Sequence, residues 1–256
     1  MRARPADNSR IGRLGKADIH IHSSVGDGVS SVADILEFVE HETDLDVIAI
    51  TDHDEVEGGL EARDMAARKG YRVEVVPGSE ITTRDGHLLA LYVEARVPML
   101  RSLEATVEAV LRLGGICVVP HPLSWLTLSV GRRRLLALHG SSLGLRLEGI
   151  EVFNPTIAGR VACEQAQRLN REILHLAETG GSDAHHVSLV GSGLTLFPGR
   201  SAGDLRRALV DRSTRGTGTR WSAGDHLQGA AGQQFRSLVV HPYRKVARVL
   251  GRGNRL

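Results

Sequence analysis

The most constraining feature of this 256-residue chain is where its apolar runs stop. Short runs at 17–21, 47–51, 73–76, 88–93, 116–119, 149–153 and 173–176 have the length of buried strands, and almost every one adjoins histidine or carboxylate. Amphipathic stretches lie between them. The segment 31–41 opens with Ser31 ahead of Val32, Ile35, Leu36 and Val39, which share one helical face. The segments 59–69 and 103–113 repeat the pattern, with Gly70 and Gly114 placed as helix-ending glycines, and 160–171 and 201–210 read as later helices. Repeated strand–helix units of this length predict an α/β fold, a distorted seven-stranded β/α (TIM-like) barrel, with an open doubly wound sheet as the alternative.

The polar residues at the strand ends follow a chemical pattern. The first run carries Asp18, His20, His22 and Ser23, followed by Asp27-Gly28. His20 and His22 are two residues apart on a strand, so they face the same side and can reach one ion. Thr51-Asp52-His53-Asp54, Gly78-Ser79-Glu80, Gly86-His87, His121-Pro122, Glu151 with Asn154, and Gly181-Ser182-Asp183-Ala184-His185-His186 follow. Asp183 and His185 share a face if the backbone there is extended. Imidazole and carboxylate without thiolate suit two or three divalent ions of the manganese, zinc or iron type. A carboxylate such as Glu80 can bridge two ions, and such a pair can grip a phosphate and activate a bridging water as the hydroxide nucleophile. Any one of these histidines alone reads as a packed or surface residue, as His41, His139, His175, His226 and His241 do. Packing does not account for the joint pattern.

Composition narrows the class. Cys117 and Cys163 read as buried small residues, because neither belongs to a close cysteine pair. No apolar stretch approaches the roughly 18 residues of a membrane span, and residues 1–16 offer no signal-peptide core, so a cytoplasmic protein is expected. Residues 1–16 carry +4, residues 236–256 carry +6, and 17–235 carry −8. This divides the chain into a basic flexible N-terminus (1–16), the barrel (17–220) and a basic C-terminal extension (221–256) available to contact a polyanion.

In their order and spacing these motifs resemble the PHP (polymerase and histidinol phosphatase) family, over residues 18–195 or so. The resemblance implies that His20, His22, Glu80 and Asp183 hold one ion. Glu80 then bridges to a second ion on His87 and His121, and Asp27, His53 and His185 hold a third. It also implies a metal-dependent phosphoesterase with Glu80, Asp183 and His185 at the centre of catalysis. Asp52 and Glu151 are expected to orient imidazoles. Where the family often has serine before Asp-Gly, this chain has Gly26. The substrate expected is a phosphorylated small molecule or short nucleic acid, with nucleotides or oligonucleotides first. A phosphatase of the histidinol-phosphate type and a non-catalytic metal module of a nucleic-acid enzyme are the alternatives. Arg160 is the expected substrate-phosphate contact, and Trp125 reads either as a base-stacking platform or as a core plug.

Overall fold

The computed structural model describes residues 14–141 and 147–225. The expectations for residues 1–13, for the basic C-terminal extension beyond 225, and for His226 and His241 lie outside them. Nine strands form one sheet in the order β7-β6-β5-β4-β3-β2-β1-β8-β9. They are β1 (Gly15–Ile21), β2 (Val47–Ile50), β3 (Glu74–Thr82), β4 (His87–Leu91), β5 (Ile116–Val119), β6 (Gly149–Phe153), β7 (Ala177–Gly180), β8 (Gly193–Phe197) and β9 (Arg215–Gly218). β1, β2 and β3 run parallel, as do β5, β6 and β7, whereas β4, β8 and β9 pair antiparallel to their neighbours.

The sheet curls into a nearly closed barrel. At the seam Thr195 Oγ1 accepts from Gly180 N (3.0 Å) and donates to Gly180 O (2.8 Å), and Thr214 Oγ1 donates to Glu178 O (2.7 Å). Beside these threonine bridges the backbones approach closely at glycines. A Cβ at Gly180 would collide with the Leu194 carbonyl oxygen, and one at Gly216 with that of Thr179.

Helices cover the outside: α1 (Val32–Glu42), α2 (Glu57–Lys69), α3 (Leu103–Arg112), α4 (Arg132–His139), α5 (Ile157–Arg160), α6 (Cys163–Leu169) and α7 (Ala202–Val210). α1 starts on a reciprocal cap between Ser31 and Asp34 and buries Val32, Ile35, Leu36 and Val39. α2 ends at Gly70 in the left-handed region (φ +66°). The strands supply the rest of the core, with Ile19, Ile48, Ile50, Leu89 and Val118 fully buried.

Four expectations change. The strand count is nine, because β8 and β9 add an antiparallel flap; the Arg-Gly-Thr-Gly of β9 has the composition of a turn. Residues 173–176 are not a strand: the expected 160–171 helix breaks into α5, α6 and one π-type turn (Asn170–Leu174), which leaves β7 to start at Ala177. α4, which no cap or clear apolar face announced, is an extra helix. Gly15 and Lys16 open β1 instead of closing a tail, and Lys16 Nζ lies 2.5 Å from Asp44 Oδ2.

Candidate metal centre

The strand ends bring all nine expected ligands to one place. On β1, Asp18 and His20 alternate with the core residues Ile19 and Ile21, and His22 follows the strand in the same phase. His53 extends the line of β2 and bridges to Glu80 in β3. β4 runs antiparallel, with His87 opposite Thr82 at the end of β3, so its first residue reaches the end where the parallel strands finish. Its position at a strand start is therefore what puts His87 in the site.

Glu80, almost fully buried, stands in the middle. Its Oε2 is 3.2 Å from His20 Nε2, 3.3 Å from His22 Nε2 and 3.4 Å from His53 Nδ1, and its Oε1 is 2.9 Å from His87 Nδ1 and 3.0 Å from His121 Nε2. The Oδ1 of Asp183 lies 3.5 Å from His20 Nε2 and 3.3 Å from His22 Nε2. Asp27 faces His185 Nε2 at 3.4 Å and His22 Nδ1 at 3.7 Å. Four overlapping ligand groups result: His20/His22/Glu80, His20/His121/Asp183, His53/Glu80/His87 and His22/Asp27/His53/His185. His53 thus stands between the expected second and third positions.

These spacings fit ligands around a cation better than they fit hydrogen bonds. Donor atoms about 2.1 Å from an ion, spread at octahedral to tetrahedral angles, lie roughly 3.0–3.4 Å from one another. Both ring nitrogens of His22, Nδ1 of His87 and Nε2 of His185 are buried without a hydrogen-bond partner, although carboxylate oxygens stand close by. Buried polar nitrogens are otherwise costly to leave unmatched. The donor set suits divalent metal ions.

Tautomers follow from the outer partners. His185 Nδ1 is 2.9 Å from the Asp183 carbonyl oxygen, which can only accept, so Nδ1 carries the proton and Nε2 is the free ligand atom. His20 Nδ1 meets Glu151 Oε1 at 3.1 Å. Ser129 Oγ donates its single proton to His121 O (2.8 Å) and therefore accepts from His121 Nδ1 (2.9 Å), which leaves His121 Nε2 for Glu80. Seven residues of irregular chain separate Ser129 from His121, and no sequence signal marked it. Glu151 also accepts from His121 N (2.7 Å) and Asn154 Nδ2 (2.9 Å), so it orients one imidazole, that of His20, and fixes the backbone of His121.

Asp52 does something else. It accepts from Ser23 N and Ser23 Oγ, both at 2.6 Å, and so fixes the turn after His22 and touches no imidazole. Gly26 lies against this carboxylate; a Cβ there would stand 2.8 Å from Asp52 Oδ1. Asp18 accepts from Ser182 N (3.0 Å) and Gly191 N (2.7 Å), tying the Asp183 loop to β1. Burial pushes both Asp18 and Asp52 up to about 6.

Asp183 is not extended: its φ is +53° and that of His121 is +29°, sparsely populated values for non-glycine residues. Asp183 and His185 consequently point into different ligand groups. Burial opposes charge throughout the site; it wins at His53, which is pushed down to about 4, and mutual attraction wins at His20, His22 and the ligand carboxylates. His22, beside Asp183 and Glu80, is pushed up to about 10, and His20 is raised by Asp183, Glu80 and Glu151. Glu80, Asp183 and Asp27 are held well below the usual carboxylate range by the surrounding imidazoles. Without ions, protons supply the positive charge that this ring of carboxylates requires.

The other expectations divide. Arg160 is exposed beside the site, in a groove of about 640 Å³ that it lines with Asn154, and does not touch the ring. Trp125 is 77% exposed and plugs no core. His41, His139, His175 and His186 stand in none of the ligand groups. Cys117 is buried as expected, while Cys163 is only half-buried and donates to Val152 O. Among the described residues no helix is long and apolar enough to cross a membrane.

The family model for the PHP-associated region matches residues 161–214. An uncharacterized protein of Methanocaldococcus jannaschii is 36% identical over 150 residues, 54% of this chain and 81% of that protein. The chain belongs to the PHP family of metal-dependent phosphoesterases. Phosphoribosyl 1,2-cyclic phosphate 1,2-diphosphodiesterase of Eggerthella lenta is 34% identical over 92 residues, 34% of each chain. In fold, the PHP chain matches a two-domain Bacteroides vulgatus protein containing a PHP-like metal-dependent phosphoesterase. The TM-score is 0.66 at 20% identity, over 88% of this chain and 70% of that one.

Proposed function

We propose that this PHP chain hydrolyses the phosphoesters of nucleotides or short oligonucleotides. The observation that carries the reading is the division of Glu80, whose two oxygens face separate sets of imidazoles. His20, His22, Glu80 and Asp183 would hold one ion, Glu80 with His87 and His121 a second, and Asp27, His53 and His185 a third. Bound divalent ions supply an activated water nucleophile and neutralise the phosphoryl oxygens. The chain's own residues do the rest. Glu80 and Asp183 set the negative frame, and His185 presents Nε2 with its proton held on the far nitrogen. Glu151 fixes His20 and the His121 backbone, and Arg160 meets a non-scissile part of the substrate.

Support for a nucleotide-like substrate comes from the open groove of Arg160 and from similarity to a phosphodiesterase of a phosphorylated ribose. The second reading is a small-molecule phosphatase of the histidinol-phosphate type. With Mn²⁺ added, nucleoside bisphosphates and short RNA should be hydrolysed faster than histidinol phosphate. Glu80→Ala and Asp183→Ala should each lose at least ~10³-fold in kcat/KM together with bound metal. Full activity and full metal content in both variants would remove the assignment.

A further inference from the structure

Of the nineteen described arginines, six (Arg63, Arg96, Arg112, Arg134, Arg200 and Arg207) lie against a carboxylate. The other thirteen have no carboxylate within salt-bridge distance among the described residues, and four of these line two adjoining grooves. Arg160 and Arg220 line the groove of about 640 Å³ that begins at Asn154, whose Nδ2 is 3.5 Å from Asp183 Oδ2. Arg132 and Arg168 line a groove of about 500 Å³ that begins at Leu123, two residues past His121. Gln165 lines both. Each groove also contains one glutamate, Glu164 in the first and Glu172 in the second, so the joined surface keeps a net +2. Next to Leu123, on the loop that carries His121, Trp125 is 77% exposed, with Leu126 and Leu128 about half exposed.

We infer that this surface is a track for a single-stranded nucleic acid, leading away from the metal centre. The inference rests on the nucleotide or oligonucleotide reading of that centre and extends it to the part of the strand that is not cleaved. Unpaired guanidiniums in series match successive backbone phosphates, because each can bind phosphate bidentately without first breaking an ion pair. The exposed indole offers an aromatic face for a base, a contact available to any sequence. An acidic peptide would use the arginines but has no flat base for Trp125.

The test measures binding of fluorescent single-stranded phosphorothioate oligothymidylates of two, six and twelve nucleotides to the Mn²⁺-loaded full chain, by anisotropy. The expected result is at least a fivefold fall in Kd between two and twelve nucleotides. This gain should be lost in Arg132→Glu/Arg168→Glu, reduced in Trp125→Ala, and retained in the control Arg63→Glu/Arg68→Glu. The salt slope for the twelve-mer should shrink by about 1.4 when two phosphate contacts go, at roughly 0.7 per contact for single strands. Absence of a length gain in the wild type, its survival in Arg132→Glu/Arg168→Glu, or equal loss in the control would overturn the track. So would a polyglutamate peptide that binds as tightly and depends on the same arginines. Thermal melting identifies any variant that fails to fold, and Arg132→Ala/Arg168→Ala then replaces it. Hydrolysis of unmodified dinucleotide by the wild type tests the metal-centre reading separately. Failure there with a surviving length gain would sink that reading and leave a strand-binding surface.

Discussion

The ring of ligands has two banks that are built differently. His20, His22, His53, Glu80 and His87 are carried by or directly follow β1–β4, where the ladder and its register place them. Asp27, His121, Asp183 and His185 sit on loops, two of them at left-handed backbone positions. The loop bank is held by bonds that reach back to the strands: Asp183 N donates to His20 O and His22 N to Ala184 O, both at 2.9 Å or less. Asp18 and Glu151 add side-chain ties. A strand ligand therefore inherits its position from the cooperative fold, whereas a loop ligand depends on a few named bonds. Substitutions that leave every ligand in place should harm the loop bank first.

Glu151→Gln gives the largest expected effect of this kind, because its carboxylate touches both banks. An amide at this position offers only one acceptor oxygen for three donors, His20 Nδ1, His121 N and Asn154 Nδ2. Loss of such an outer partner costs about 10–100-fold in metal affinity or activity. Calorimetric titration of the metal-free variant with Mn²⁺ reads it directly. Wild-type affinity would mean that the ladder alone sets both histidines.

Ser129→Ala sharpens the contrast, since it touches only the loop bank. His121 then loses the acceptor that keeps its proton on Nδ1, while the bonds from His87 N to Leu128 O and from His121 N to Glu151 still hold the loop. Because the Glu151 bond to His121 N persists, the expected loss is about three- to tenfold in affinity, at or below the low end for an outer partner. Ser129→Thr, which keeps the hydroxyl, should recover part of it. Equal losses for Thr and Ala would reduce Ser129 to a packing role.

The same contrast governs what could be read from the amino-acid order. The strand bank was legible because period-two alternation and short apolar runs are local signals, and because His20, His22 and Glu80 fall in phase with them. The direction of β4 was not legible: the apolar runs at 73–76 and 88–93 lie eleven residues apart, whereas β3 continues through Pro77-Gly78-Ser79-Glu80 to Thr82 and leaves only residues 83–86 for a hairpin. The loop bank was legible as composition but not as geometry. Nothing local predicts that Asp183 takes φ +53°, or that Asp52 serves Ser23 instead of an imidazole. β8 and β9 escaped notice because their pairing is decided by the distant edge of β1 and by glycines packed against β7.

Asp52 tests the join between the banks through stability and leaves every ligand in place. Its carboxyl is raised to about 6, against an ordinary value near 3.8, chiefly by burial. The folded protein holds this proton more tightly than the unfolded chain. The stabilisation is therefore complete below about pH 4 and is lost as pH rises through about 6. A rise of that size is worth roughly 2–3 kcal/mol across the window. Asp52→Asn cannot ionise, so in metal-free protein the difference between wild type and variant should drift in the variant's favour between about pH 4 and 7. The variant still begins at a disadvantage, having exchanged a two-oxygen acceptor of Ser23 N and Oγ for an amide with one acceptor. Urea unfolding at several pH values reads the drift, and groups common to both proteins cancel in the comparison. A difference that stays flat from about pH 4 to 7 would show that Asp52 is already ionised at low pH, with Ser23 outweighing burial at the point where strand and loop meet.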